Sequence, residues 1–218
     1  MAATDAAPSP RRARANRLRG LYAVTPDLTD TAALVARVDA ALEGGACAIQ
    51  YRNKTVAAEL RFTQAEALAR VTAKRGGLYI VNDDASLCAA VGADGVHLGE
   101  SDGSVAAARE LIGPERVIGV SCYDEFGRAE AAVAAGADYV AFGSFHPSSV
   151  KPDARRADFA LLARAAALGV PVVAIGGITA ANARELRRAG AHAVAVISAV
   201  FDAADVVAAA RAIVVACR

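Results

Sequence analysis

The chain has 218 residues, of which 55% are hydrophobic and 22% are charged. This composition excludes a disordered chain, and the length suits one folded domain. No apolar stretch is long and uninterrupted enough to predict a membrane-spanning helix, so we expect no membrane partner.

The net charge of +1 is unevenly divided along the chain. The first 20 residues carry Asp5 and five arginines, Arg11, Arg12, Arg14, Arg17 and Arg19. Such a segment could touch nucleic acid or membrane, but a solvated extension is the simpler interpretation. It has no apolar core of a secretory signal. We therefore predict a flexible basic tail over residues 1–20, a folded domain over 21–218, and no nucleic-acid partner.

From Leu21 onward, short apolar runs alternate with Ala-rich helical stretches, eight of each. The predicted strands are Leu21–Thr25, Ala46–Gln50, Leu78–Val81, Gly95–Leu98, Val117–Val120, Tyr139–Phe142, Val172–Ile175 and Ala193–Ile197. The predicted helices span 31–43, 56–74, 84–92, 104–112, 124–135, 158–168, 179–189 and 202–215. Strict alternation indicates parallel strands, and eight units close into a (β/α)8 TIM barrel. A doubly wound open sheet is the rival, but no glycine-rich turn follows the first strand.

None of the four cysteines, Cys47, Cys88, Cys122 and Cys217, forms a Cys-x-x-Cys pair. Reduced thiols in a cytoplasmic protein are the simplest explanation. The oligomeric state stays open, with a homo-oligomer as one outcome.

In barrels of this kind the active site lies at the carboxyl ends of the strands. After the second strand, Gln50 and Arg52 share one face and Lys54 can continue it. Two cations and an amide suit an anion such as phosphate, and a solvated basic loop is the alternative.

Carboxylates follow the third and fourth strands. Asp83 follows the third strand, Glu100 and Asp102 follow the fourth, and carboxylates from neighbouring loops are hard oxygen ligands of the kind that Mg²⁺ prefers. We assign the metal to Asp83 and the cap of the following helix to Asp84. Acidic helix starts are common, so the pair alone is a moderate signal.

The loop after the sixth strand is long, rich in hydroxyls and carries Lys151, which suits a lid that shields a leaving group from water. A long surface loop is the alternative. After the seventh and eighth strands, backbone N–H groups at Gly177 and Ser198 could bind phosphate oxygens, although a plain turn also explains the glycines.

The three histidines have no partner at metal-ligand spacing, and no nucleophile–base set is evident. We therefore treat His97 and His192 as structural. Two anion sites and a metal without a covalent nucleophile favour metal-assisted displacement of a phosphorylated leaving group.

Seven segments, in order, resemble the thiamine-phosphate synthase family. They are Gln-Tyr-Arg-Asn-Lys (50–54), Val-Asn-Asp-Asp (81–84), Gly-Ala-Asp-Gly-Val-His-Leu-Gly (92–99), Ile-Gly-Val-Ser (118–121), Phe-Gly-Ser-Phe-His-Pro-Ser-Ser-Val-Lys (142–151), Ala-Ile-Gly-Gly-Ile-Thr (174–179) and Val-Ile-Ser (196–198). Each motif is weak, but seven in register over residues 20–204 are specific.

The resemblance implies an enzyme that joins 4-amino-5-hydroxymethyl-2-methylpyrimidine pyrophosphate to 4-methyl-5-(2-hydroxyethyl)thiazole phosphate with Mg²⁺, by a dissociative route that releases pyrophosphate. It implies pyrimidine-substrate contacts from Gln50, Arg52, Lys54, Asn82, Ser121 and Lys151. It implies thiazole-phosphate contacts from Ser148, Gly177, Ile197 and Ser198, and Mg²⁺ ligands Asp83 and Asp102. Arg52, Lys54, Ser121 and Lys151 are the expected catalytic residues.

Two positions depart from the family pattern. Val150 lacks a hydroxyl that the family often has near the lysine, and Glu100 adds a negative charge beside the expected metal. A thiazole tautomerase on the same fold, or a non-catalytic thiamine-phosphate binder, is the alternative function. The tautomerase would not need the Gln-Arg-Lys trio, and the intact Asp83 and Asp102 argue against a mere binder.

Overall fold

The computed structural model describes residues 9–147 and 155–218, and its eight strands form a closed, entirely parallel barrel in chain order. Each strand pairs with the next, and β8 closes on β1 through pairs such as Tyr22 with Ala195. The strands are β1 Gly20–Val24, β2 Ala48–Tyr51, β3 Leu78–Asn82, β4 Gly95–Leu98, β5 Val117–Tyr123, β6 Tyr139–Phe142, β7 Val172–Ile175 and β8 Ala193–Val196. The predicted (β/α)8 fold is confirmed.

A helix follows every strand, so each connection is a β–α unit. The helices are α1 Pro10–Ala15, α2 Thr31–Glu43, α3 Ala58–Arg75, α4 Ala85–Ala90, α5 Val105–Ile112, α6 Phe126–Ala134, α7 Ala160–Ala165, α8 Ala183–Arg188, α9 Ser198–Phe201 and α10 Val206–Ala216. Two of these, α1 and α9, are additional to the eight expected from the sequence. None of the helices in the described ranges is long and apolar enough to cross a membrane.

The strands are apolar on both faces because both faces are covered. One buried cluster, which includes Tyr22, Ile80 and Tyr139, fills the barrel. A larger one, which includes Leu34, Ile49 and Phe142, packs between the barrel and its helices. Burial on two sides favours continuous runs of Val, Ile and Ala, which is why the strands were evident in the sequence.

The expectation of a flexible tail over residues 1–20 is wrong for the part of that segment which the structure describes. Ser9 caps α1, and Ala15 and Leu18 are fully buried in the cluster that fills the barrel. The helix covers the amino-terminal end of the barrel, where Leu18 adds to the core. Burial of this apolar side chain stabilises the packed arrangement.

The arginines of α1 hold it in place rather than facing only solvent. Arg11 Nε lies 2.9 Å from Asp138 Oδ1, and Arg14 Nε lies 3.1 Å from Asp94 Oδ1. Both aspartates immediately precede a strand, and they accept hydrogen bonds from the backbone N–H groups of Ile118 and Tyr79, respectively. The basic segment is therefore complementary to carboxylates at the bottom of the barrel.

Candidate active site

A cavity of about 410 Å³ opens at the carboxyl ends of the strands. Seven of its lining residues were expected from the sequence to contact substrate: Gln50, Arg52, Asn82, Ser121, Gly177, Ile197 and Ser198. Its walls also include the apolar residues Val24, Ala141, Val173 and Ala195. The structure thus joins residues from all eight strands around one space.

Asp27, which no pattern in the sequence singles out, fixes the position of Arg52 at the rim. Its carboxylate accepts hydrogen bonds from Arg52 Nη1 at 3.1 and 3.2 Å and from the Lys54 backbone N–H at 2.8 Å. Thr25 contributes a second anchor, since its hydroxyl donates to the Arg52 carbonyl and accepts from the Arg52 N–H. The loop after β1 therefore orients the loop after β2.

Lys54 lies outside the lining of the main cavity and is paired with a carboxylate. Its Nζ lies 3.0 Å from Asp83 Oδ2, and both groups border a smaller adjoining cavity of about 250 Å³. The lysine is more than half exposed, so it can reach an anion at the mouth by changing rotamer.

Asp83 and Asp102 lie within hydrogen-bonding distance of each other, as a shared metal site requires. Burial and the adjacent Asp102 raise the pKa of Asp83. Burial raises the pKa of Asp102, but hydrogen bonds from Asp83 and from the Gly99 N–H outweigh this effect and hold that pKa below its usual value. Two carboxyl groups so close share a proton unless a cation lies between them.

The donor set fits Mg²⁺ on chemical grounds. Only oxygen atoms are offered, and within the described ranges no cluster of three or more His, Cys, Asp and Glu side chains forms a metal site. Mg²⁺ commonly takes one or two carboxylates and completes its shell with waters and phosphate oxygens.

The predicted helix cap at Asp84 is confirmed, because Asp84 Oδ1 accepts a hydrogen bond from the Leu87 N–H at 2.8 Å.

His97, expected from the sequence to be structural, has a side chain that lines the cavity and contacts Ser121. The His97 Nε2 atom lies 2.9 Å from Ser121 Oγ, and its Nδ1 lies 3.0 Å from the Tyr139 hydroxyl. Burial lowers the pKa of His97 to about 4, so the ring is neutral at pH 7. His192, in contrast, accepts a backbone hydrogen bond from Val172 at the other end of the barrel.

The opposite side of the mouth is formed by the loops after β7 and β8. Gly177 adopts a φ of 63° and lies against the preceding loop: a Cβ there would be 2.2 Å from the Pro147 carbonyl oxygen. Ser198 begins the short helix α9, whose first N–H groups lack acceptors within the helix. Backbone N–H groups at such a turn and helix start form phosphate sites in many barrels.

Two expected site residues, Ser148 and Lys151, lie outside the described residues, as does Val150. Beyond that segment, Arg155 lines the cavity and its guanidinium lies 5.4 Å from the centre of the Tyr123 ring. Arg128 lies 5.6 Å from the same ring and 3.9 Å from Glu100. No signal in a single sequence singles out this aromatic–cation cluster, because its members come from β5, α6 and the segment before α7.

Comparisons of the sequence with known proteins agree on one family. The sequence pattern of the family described as thiamine monophosphate synthase matches residues 21–200. Thiamine-phosphate synthase of Methylobacillus flagellatus is 55% identical over 194 residues, which cover 89% of this chain and 93% of the relative. That of Chromobacterium violaceum is 56% identical over 197 residues, covering 90% and 95%.

Solved structures agree with the sequence relatives. Thiamine phosphate pyrophosphorylase from Pyrococcus furiosus superposes with a TM-score of 0.83 at 38% identity, covering 94% of this chain and 97% of that one. A 3-hexulose-6-phosphate synthase, at 22% identity and a TM-score of 0.67, shares the fold. Because the family pattern covers most of the barrel and the relatives are more than half identical, this chain belongs to the thiamine monophosphate synthase family.

Proposed function

We propose that the chain condenses 4-amino-5-hydroxymethyl-2-methylpyrimidine pyrophosphate with 4-methyl-5-(2-hydroxyethyl)thiazole phosphate, giving thiamine phosphate and pyrophosphate. The observation that carries this function is the division of one cavity mouth into two anion-binding sides. Arg52 follows β2 and lies on the side of the carboxylate pair, whereas Gly177 and Ser198 follow β7 and β8 on the other side. A reaction between two phosphorylated substrates needs both sides.

The pyrophosphate of the first substrate would be bound by Arg52, Ser121 and Lys54, and by Lys151 from the loop after β6. Asp83 and Asp102 would hold Mg²⁺, which supplies positive charge that stabilises the departing pyrophosphate. Arg52 is held rigidly by Asp27 and Thr25, so its guanidinium is oriented before the ligand binds. Preorganised charge of this kind favours the state in which negative charge develops on the leaving group.

Bond breaking comes first in this proposal. The bond between the pyrimidine methylene carbon and the pyrophosphate oxygen breaks, and its electron pair leaves with pyrophosphate. The ring amino group stabilises the resulting cation by donating electron density. The thiazole nitrogen lone pair then forms the new C–N bond, so no general base is required. The apolar walls at Val24, Val173 and Ala195 offer a competing water molecule no hydrogen-bond partner.

The thiazole phosphate would bind where Gly177 lets the backbone approach closely, with Ile197 and Ser198 beside it. Ser148 would add a hydroxyl from the loop after β6. Asn82, at the end of β3, would contact the pyrimidine substrate next to the metal pair. This arrangement brings the two reacting partners toward each other from opposite sides of the mouth.

All four cysteines are free thiols, which supports a reducing, cytoplasmic location.

The function is tested by measuring pyrophosphate release from purified protein with each substrate omitted in turn. We expect release only with both substrates and Mg²⁺, and none after addition of EDTA. Isomerisation of a thiazole phosphate without the pyrimidine substrate would favour the tautomerase instead. Binding of thiamine phosphate without any turnover would favour the non-catalytic binder.

A further inference from the structure

An unbroken chain of hydrogen bonds crosses the barrel interior beneath the cavity. Gln50 Nε2 donates to the Tyr22 hydroxyl at 2.9 Å, and the Tyr22 and Tyr139 hydroxyls lie 3.0 Å apart. Tyr139 continues to His97 at 3.0 Å, and His97 to Ser121 at 2.9 Å. The chain therefore joins two residues of the cavity lining, Gln50 and Ser121, that come from β2 and β5.

The three middle groups each carry a single proton to donate. Burial raises the pKa of Tyr22 and Tyr139 well above the usual value, so both hydroxyls stay protonated. His97 is neutral and has one N–H. Tyr139, in the middle of the chain, is fully buried and lies outside the cavity lining, so bulk water does not replace a missing partner there. An unsatisfied polar group in such a place is costly, which favours the arrangement that fills all four links.

The chain has four hydrogen bonds, and its three middle groups supply the protons for three of them. The fourth proton must come from one end of the chain, either Gln50 or Ser121. If Gln50 donates through its amide, every link points toward Ser121, His97 carries its proton on Nε2, and the Ser121 hydroxyl proton is free. If Ser121 donates into the chain, every link reverses, His97 carries its proton on Nδ1, and Gln50 must accept through Oε1. The two ends therefore cannot both donate into the chain.

We propose that this chain couples the hydrogen-bonding states of Gln50 and Ser121, so that His97 is a positioning residue for substrate recognition. When Gln50 donates to Tyr22 through its amide nitrogen, Ser121 can donate to an anionic oxygen while the Gln50 amide oxygen stays available to an N–H donor. A ligand with an amino group at one end and a pyrophosphate at the other matches both ends at once. This inference rests on the proposed function for the identity of that ligand.

The packing at Tyr139 shows that its ring position is built into the barrel. A Cβ on Gly119 would lie 1.9 Å from the Tyr139 ring, so only glycine at this point of β5 leaves space for the ring. The same ring stacks on His97, with centroids 5.5 Å apart. Replacing Tyr139 by Phe keeps this packing and removes only the hydroxyl in the middle of the chain.

The test is to read the His97 tautomer by nitrogen NMR of protein labelled with ¹⁵N-histidine, using a His97→Gln variant to assign its signals among the three histidines. The probe ligand is inorganic pyrophosphate. We expect the proton on Nε2 in the native protein, with and without pyrophosphate. In Gln50→Glu we expect it on Nδ1, because a carboxylate can only accept from Tyr22.

Tyr139→Phe is the matched control, since it interrupts the chain between residues 50 and 97. In this background, Gln50→Glu should leave the His97 tautomer unchanged. The coupling would be overturned if His97 had the same tautomer in the native protein and in Gln50→Glu. It would also be overturned if Gln50→Glu changed the His97 tautomer equally with and without the Tyr139 hydroxyl. These readouts need no turnover, so they fail separately from the proposed function.

A kinetic measurement distinguishes positioning from mere stability. Tyr139→Phe should raise KM for the pyrimidine substrate about fivefold, the equivalent of one ordinary hydrogen bond, with KM for thiazole phosphate unchanged. His97→Gln, whose amide can still donate to Ser121, should recover more activity than His97→Leu. Equal losses for both His97 variants, or equal KM changes for both substrates, would contradict the positioning role.

Discussion

Lys54 Nζ lies 3.0 Å from Asp83 Oδ2, so the cation that follows β2 neutralises a carboxylate that follows β3. Asp83 in turn shares a hydrogen bond with Asp102, and burial opposes charge on both. The free protein thus balances its own carboxylates with a lysine. Binding of a divalent cation would release Lys54 to contact the pyrophosphate, which links metal binding to anion binding at one rim.

The metal assignment predicts different outcomes at two adjacent aspartates. Asp83→Asn should raise the Mg²⁺ concentration needed for half-maximal activity by roughly 100-fold or more, since even residues behind the ligands commonly change metal affinity 10- to 100-fold. Asp84→Ala should instead lower the free energy of unfolding by about 1 kcal/mol through the lost helix cap. Mg²⁺ titration of pyrophosphate release measures the first effect and urea unfolding the second. An unchanged Mg²⁺ requirement in Asp83→Asn would remove that residue from the metal site.

The buried position of Leu18, in the turn that follows α1, predicts that its truncation affects stability rather than chemistry. Leu18 is fully buried at the end of the barrel opposite the cavity. Leu18→Ala should therefore lower the free energy of unfolding by about 2–4 kcal/mol while kcat at 20 °C stays near the native value. Leu111→Ala is the matched control, because Leu111 is 57% exposed and should change stability by less than about 0.5 kcal/mol. Equal effects of the two substitutions would show that Leu18 does not pack in the barrel as described.

The fold could be read from the sequence because each barrel strand is buried on both faces, and the resulting apolar runs differ sharply from the helices between them. The sequence did not predict that the arginines of α1 bind carboxylates of the barrel. Arg11, which pairs with Asp138, cannot be distinguished in the sequence from a solvated arginine. The contacts of His97 could not be predicted, because its partners Ser121 and Tyr139 lie 24 and 42 residues away. The spacing of residues in the sequence carries no information about such contacts. The rule that barrel active sites lie at the carboxyl ends of the strands, in contrast, correctly grouped Gln50, Arg52 and Ser198. The roles of Ser148 and Lys151 stay predictions.

The neutral state of His97 predicts a pH dependence of stability. Its pKa of about 4 in the folded protein lies below the usual 6.5, so the unfolded chain binds the proton first as pH falls. Its contribution is therefore fully present above pH 6.5 and is lost between pH 6.5 and 4, by about 3 kcal/mol in total. Urea unfolding of the native protein and His97→Gln at pH 7 and pH 4.5 measures this loss. The native protein should lose more stability than the variant, and parallel losses would mean that His97 titrates normally.

The close approach of Gly177 to the loop after β6 predicts a selective defect on the thiazole side. A methyl group at this position would lie 2.2 Å from the Pro147 carbonyl oxygen, and the φ of 63° disfavours any other residue. Gly177→Ala should displace the loop and raise KM for thiazole phosphate at least tenfold, while the Mg²⁺ requirement stays unchanged. Gly127→Ala is the matched control: it lies in α6, where a Cβ has open space, and alanine there should stabilise the helix by about 0.5–1 kcal/mol without changing KM. Steady-state kinetics with each substrate varied separately distinguishes the cases. A native KM for thiazole phosphate in Gly177→Ala would place the thiazole phosphate elsewhere, because a shifted turn could not leave a phosphate bound to its N–H groups unaffected.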